Sequence, residues 1–85
     1  MFLHLGADTV ILLRDVITIT DFKTIRSSIN DDFLRVMTEE NLVDDISDGN
    51  AKSFIVTDKK VFLSAISATT LKKRAQFLSE DDDDE

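Results

Sequence analysis

The stretch from Lys60 to Phe77 constrains this chain most, because it passes from a strand pattern directly into a short basic helix. Val61, Leu63 and Ala65 alternate along an extended segment and share one of its faces. Ser67 or Thr69 then supplies a side-chain oxygen suited to cap a helix. Ala68, Leu71, Ala75 and Leu78 recur at i, i+3, i+7 and i+10, which gives that helix one apolar stripe. Lys72, Lys73 and Arg74 lie toward its C-terminal end, where cations suit the helix dipole. These residues describe a fold and name no chemistry.

The rest of the chain reads as strands, a helix and more strands. Phe2 to Leu5 and Thr9 to Leu13 flank a Gly6-Ala7-Asp8 turn, and Val16 to Thr20 is β-branched at every position. Ser27 or Ser28 caps a helix expected to run through Asn41, with Asp31 and Asp32 in its favourable first turn. Ile29, Phe33, Val36 and Met37 make its expected core stripe, with Leu34 on the flank, and Asn41 suits a left-handed end. Leu42 to Ser47 returns to extended structure before an Asp48-Gly49-Asn50-Ala51 loop. Ser53 to Thr57 and Lys60 to Ile66 form a hairpin about Asp58-Lys59, with Phe54 and Val56 on one face and Val61, Leu63 and Ala65 on another. The fold class is α+β: a small, mainly antiparallel sheet of five to six strands with one central and one C-terminal helix.

With 85 residues and no cysteine, the chain makes one domain without disulfides or thiolate metal sites, which fits a reducing cytoplasm. A domain this small buries only about 60–65% of its unfolded surface, so oligomerisation would help it. The start Met-Phe-Leu-His-Leu lacks a basic n-region and reads as a strand, and the longest apolar run, Val10 to Leu13, is far short of a membrane span. The expected protein is soluble and makes no membrane contact.

Net charge is −7, and its distribution matters more than its size. Ser79 to Glu85 carries six of the seventeen acids and no base, leaving eleven acids against ten bases in residues 1–78. The domain is therefore residues 1–78, and 79–85 reads as a disordered acidic tail. That tail is either a solvated end or a competitor that offers carboxylates to Lys72, Lys73 and Arg74 in place of phosphates.

Enzyme chemistry fails on inventory. There is one histidine and no cysteine, tyrosine or tryptophan, and Gly6 and Gly49 cannot build a phosphate-cradling loop. His4 between Leu3 and Leu5 reads as a structural or surface histidine. The neighbouring acids Asp31-Asp32, Glu39-Glu40 and Asp44-Asp45 point apart on a helix or a strand, so solvation and dipole roles suit them better than catalysis or metal binding. No cofactor or metal is expected.

Several fragments, taken in order, carry a resemblance: His4-Leu5-Gly6, Arg14-Asp15-Val16, Asp21-Phe22, Val43 to Ser47, Lys52 to Thr57, Leu63-Ser64-Ala65, Ser67 to Thr70 and Leu71-Lys72-Lys73-Arg74. Over roughly residues 1–78 they resemble the RemA/RemB family of bacterial extracellular-matrix (biofilm) regulators, nearer the RemB type. The resemblance implies a LytTR-like core, ring-like assembly, and DNA wrapped without a recognition helix. It also implies DNA contact through an arginine after the early strands and an arginine cluster in the loop after a glycine. Arg14 matches the first position, whereas Gly49 is followed by Asn50, Ala51 and Lys52, so Lys52 alone offers charge in that loop. Lys59 and Lys60 at the hairpin tip are secondary candidates; all four also have a plain reading as edge or turn charges.

The expectation is an oligomeric regulator of matrix gene expression, a ring of copies that touches double-stranded DNA weakly and with sequence tolerance. The alternative is a ring-forming interaction protein that binds no DNA and works through a protein partner such as a Rem-type paralogue.

Overall fold

The computed structural model describes residues 1–28 and 31–83. Six strands form: β1 (Phe2–Gly6), β2 (Thr9–Leu12), β3 (Val16–Asp21), β4 (Val43–Asp45), β5 (Ser53–Thr57) and β6 (Val61–Ser64). They divide into a β1-β2 hairpin and a four-stranded sheet of order β3-β5-β6-β4, antiparallel except for the β4–β6 pair. The architecture is α+β, with three helices: α1 (Phe22–Ser28), α2 (Asp31–Glu39) and α3 (Ala68–Asp83).

Local chemistry accounts for most element ends. Gly6, Ala7 and Asp8 all take positive φ, at 97°, 49° and 60°, which turns β1 into β2. A Cβ on Gly6 would lie 3.4 Å from Ile66 Cδ1, so the close approach adds to the need for glycine. Asn41 is left-handed at φ 59°, and the Asn41 and Leu42 N–H groups donate to the Thr38 and Met37 carbonyls at 3.0 and 2.9 Å. That pair of bonds is a Schellman end for α2. Ser67 is the N-cap of α3, its Oγ accepting from the Thr70 N–H at 3.2 Å.

The helix expected from Ser27 or Ser28 to Asn41 is α2, Asp31–Glu39, and a further helix that the sequence pattern did not indicate, α1, precedes it. Asp21 Oδ1 accepts from the Lys23 and Thr24 N–H groups at 2.9 and 3.3 Å and caps α1 well before the serines. Of the expected core stripe, Val36 is 51% exposed and Met37 and Leu34 are half-buried, while Ile29 and the Phe33 side chain lie outside the described residues. α3 continues to Asp83, past the Leu78 at which the sequence places the end of the domain.

The core lies between the hairpin, α3 and one face of the larger sheet. Leu3 and Leu5 from β1 meet Ile19, Ile55 and Phe62 from the sheet and Ala68 and Leu71 from α3, with Ala75 and Leu78 packed at its margin. Ile19 pairs with Ile55 and Ile55 with Phe62, so the three share a face. Complete burial of side chains such as Leu5, Ile55 and Leu71 contributes about 1.5–3 kcal/mol each. Phe54 and Val61 are buried on the opposite face; Val56 pairs with Val61 and Phe54 with Leu63, so the two stripes expected on different faces share this one.

Candidate nucleic-acid interface

Arg14 sits in a 3-10 turn, Leu13–Asp15, between β2 and β3. The Leu13 N–H donates to the Met1 carbonyl at 3.0 Å, and the Val16 N–H closes the turn on the Leu13 carbonyl. Its side chain is 82% exposed, and the Nε stands 4.0 Å from Asp15 Oδ1. An exposed pair at that distance contributes little, so the guanidinium faces solvent without a strong internal partner.

The Asp58 N–H donates to the Asp15 carbonyl at 3.1 Å, which brings the tip of the β5-β6 hairpin beside this turn. Thr57 builds the tip: its Oγ1 donates to the Lys60 carbonyl at 2.7 Å and accepts from the Lys59 and Lys60 N–H groups at 3.3 and 3.1 Å. A small cavity of about 170 Å³ separates the two loops, with Leu12, Asp15, Thr57, Asp58, Lys59 and Lys60 among its walls. Lys60 Nζ lies 3.5 Å from Asp44 Oδ2 and 5.2 Å from the Phe62 ring centroid, so its ammonium is partly committed. Lys59 is exposed and has no ion-pair partner among the described residues.

Lys52 is elsewhere. It precedes β5, whereas Lys59 follows it, and a strand of that length separates them by roughly 20 Å. Its N–H donates to the Ser64 carbonyl at 2.7 Å and its own carbonyl accepts from Phe22 at 3.0 Å, so the backbone is fixed while the side chain stays exposed. Asp21, Lys23, Ala51 and Ser67 line a shallow recess with it. Lys23 is a cation the sequence reading passed over; the signal for it was the Asp21 cap, which places the next residues at the start of a helix. The turn that carries Arg14 therefore adjoins the hairpin tip that carries Lys59 and Lys60, while Lys52 lies with Lys23 at the other end of the β3–β5 ladder.

Lys72, Lys73 and Arg74 are all exposed on α3. Lys73 and Arg74, with Phe2, Leu3, His4, Phe77 and Leu78, line a groove of about 510 Å³ between α3 and β1. Arg74 Nη1 donates to the His4 carbonyl at 3.5 Å, and His4 itself is exposed on β1. No group of metal-ligating side chains occurs among the described residues, and none of the described helices is long and apolar enough to cross a membrane.

Two comparisons bear on this arrangement. The family described as RemA-like, extracellular matrix regulatory protein A-like, matches residues 2–75, which span every strand and the start of α3 with its three cations. The chain belongs to the RemA-like family. It is also 42% identical over 82 residues to extracellular matrix regulatory protein B of Bacillus subtilis (strain 168), covering 96% of this chain and 99% of that protein. Within the RemA-like family the chain is thus RemB-like.

Proposed function

We propose that this RemA-like protein is a non-enzymatic, cytoplasmic regulator of extracellular-matrix gene expression that acts as a homo-oligomer through weak, sequence-tolerant contact with double-stranded DNA. The relative named extracellular matrix regulatory protein B supports the regulatory part. The observation that carries the DNA contact is the placement of Arg14. An 82% exposed Arg14 side chain rises from a short turn whose backbone is hydrogen-bonded to the lysine-bearing hairpin tip, and the outward cations offer phosphate partners without a recognition helix.

One such cluster per subunit is a weak electrostatic site, so repetition around a ring supplies the affinity. Each phosphate neutralised contributes counterion release, with log K falling by about 0.9 per tenfold rise in salt. Two separated patches, Arg14 with Lys59 at one end and Lys52 with Lys23 at the other, suit a backbone that passes over successive subunits. Base readout requires side chains seated in a groove, which this arrangement does not offer.

A second reading is favoured by the net charge of −7 and by Phe2 and Phe77, which are 65% and 69% exposed. In it the assembled protein engages a protein partner and no DNA. A gel-shift titration with duplex DNA at low and moderate salt, run beside light scattering of the full chain, separates the two. Retention that falls with salt supports the DNA reading, and no retention at low salt by an intact oligomer supports the other.

A further inference from the structure

The exposed aromatic side chains of the described residues gather in one place. Phe2 and Phe77 are 65% and 69% exposed, His4 is exposed as well, and all three line the groove of about 510 Å³ between β1 and α3. Phe22, Phe54 and Phe62 are half-buried or buried. Phe2 and His4 alternate with the buried Leu3 and Leu5, so both project from the outer face of β1, roughly 7 Å apart. On α3, Arg74 and Lys73 precede Phe77 by three and four residues, which makes them its neighbours on the helix surface at about 5–6 Å. Arg74 Nη1 donates to the His4 carbonyl across the groove at 3.5 Å, and the guanidinium keeps further donors for a ligand.

Lys73 and Arg74 bring positive charge and hydrogen-bond donors, and no carboxylate is among the described side chains that line the groove, so its complement is an anion rich in acceptors. Flat rings that face solvent beside those cations suit an occupant with flat rings of its own. We propose that the groove is a site for single-stranded nucleic acid, with unpaired bases stacked on Phe2, His4 and Phe77 and phosphates held by Lys73 and Arg74. Aromatic platforms beside cations hold single strands with little sequence preference, because every base has a π-face. A duplex keeps its bases stacked on one another and cannot offer them to these rings, so the site is separate in its chemistry from the duplex contact proposed for the Arg14 turn.

The volume falls within the range of small-ligand sites, about 300–1,000 Å³. An acidic protein segment would satisfy Lys73 and Arg74 and cover two phenylalanines, but it gives no reason for three exposed aromatic planes in one recess. The acids at the end of the chain follow Leu78 in sequence, so the phosphates belong at the Lys73 and Arg74 end, with the bases turned toward β1 and Phe77. Each phosphate held there contributes counterion release, with log K falling by about 0.7 per tenfold rise in salt for a single strand.

The test is fluorescence anisotropy of a labelled oligothymidylate of about 12 nucleotides against the full chain at about 0.05 M salt. A labelled duplex, light scattering and circular dichroism are run in parallel. The single strand should bind, and Phe77→Leu, which keeps an apolar side chain and removes the ring, should weaken it about tenfold, with Phe77→Trp restoring the affinity. Lys73→Gln and Arg74→Gln should each reduce the salt slope by about 0.7. Duplex retention and oligomer mass should be the same in Phe77→Leu as in the wild type. No binding of the single strand at low salt by the folded chain overturns the proposal, as does equal affinity of Phe77→Leu and wild type. Polyglutamate that displaces the oligonucleotide as well as unlabelled strand does would assign the groove to acidic protein segments instead, and a lower mass for Phe77→Leu would assign it to a contact between copies. Because the duplex is measured beside the single strand, failure of this site and failure of the duplex reading show separately.

Discussion

The main-chain N–H of Asp58 donates to the carbonyl of Asp15 across 3.1 Å, joining the turn that carries Arg14 to the hairpin that carries Lys59 and Lys60. The two residues are far apart in the chain, and Val16 pairing with Thr57 sets their meeting. The outward cations at this end of the molecule therefore owe their grouping to sheet register. Arg14→Ala should lower DNA retention without changing the oligomer mass. Its log K against log salt slope should shrink by about 0.9 for each subunit that contacts DNA. Loss of fold by circular dichroism would instead assign Arg14 a structural role.

Ser53 and Ser64 are cross-strand partners, both fully buried, and their hydroxyls differ in what they do. Ser64 Oγ donates to the Leu5 carbonyl at 2.6 Å and accepts from the Ile66 N–H at 3.0 Å, clamping the small hairpin to the sheet. Ser53 Oγ has no hydrogen-bond partner among the described residues. Ser64→Ala should cost about 1–3 kcal/mol by leaving buried groups unpaired, and Ser53→Ala should be neutral or stabilising. Thermal unfolding resolves them, since 1 kcal/mol shifts Tm by about 4–8 °C in a domain of this size. Equal losses for the two variants would contradict the assignment.

Ser67 holds the start of α3, accepting from the Thr70 N–H and donating to Thr70 Oγ1 at 2.9 Å. Ser67→Ala should destabilise the fold by about 1 kcal/mol, and Ser67→Asp should restore most of that because aspartate caps equally well. Denaturant titration of the three proteins checks the order; an unchanged midpoint for the alanine variant would show that the cap is not limiting.

We further propose that residues 79–85, with six acids and no base, weaken DNA binding by competing with phosphates for basic residues of the domain, Lys72, Lys73 and Arg74 among them, at an effective concentration on the order of millimolar. A chain ending at Leu78 should bind duplex DNA more tightly than the full chain at low salt. The difference should fade as salt screens it. Equal retention by the two proteins across a salt series would leave these residues with a solvating role alone.

Much of the fold was legible where backbone geometry demands particular residues. Gly6-Ala7-Asp8, Asn41 and Asp48-Gly49 are turns or ends at positive φ, and the Ser67 cap and the α3 stripe follow from side-chain type and spacing. The division into two sheets was not legible, because β1 and β3 have similar strand patterns and only long-range packing puts Leu3 and Leu5 against the core. α1 escaped notice because seven residues with Phe22 and Ile25 as apolar positions give too little periodicity. At the candidate interface the cations were recognisable by type. Their grouping depends on the β3–β5 register, which joins segments about forty residues apart and leaves no local trace.

The central claim is that the outward cations contact DNA phosphates, and fluorescence anisotropy of a labelled duplex against the full chain tests it most directly. With oligomer mass monitored in parallel, the account predicts binding at about 0.05 M salt that weakens steeply by 0.2 M, is insensitive to duplex sequence, and is reduced by Arg14→Ala. No binding at low salt by a folded oligomer, or binding that Arg14→Ala leaves unchanged, would contradict it.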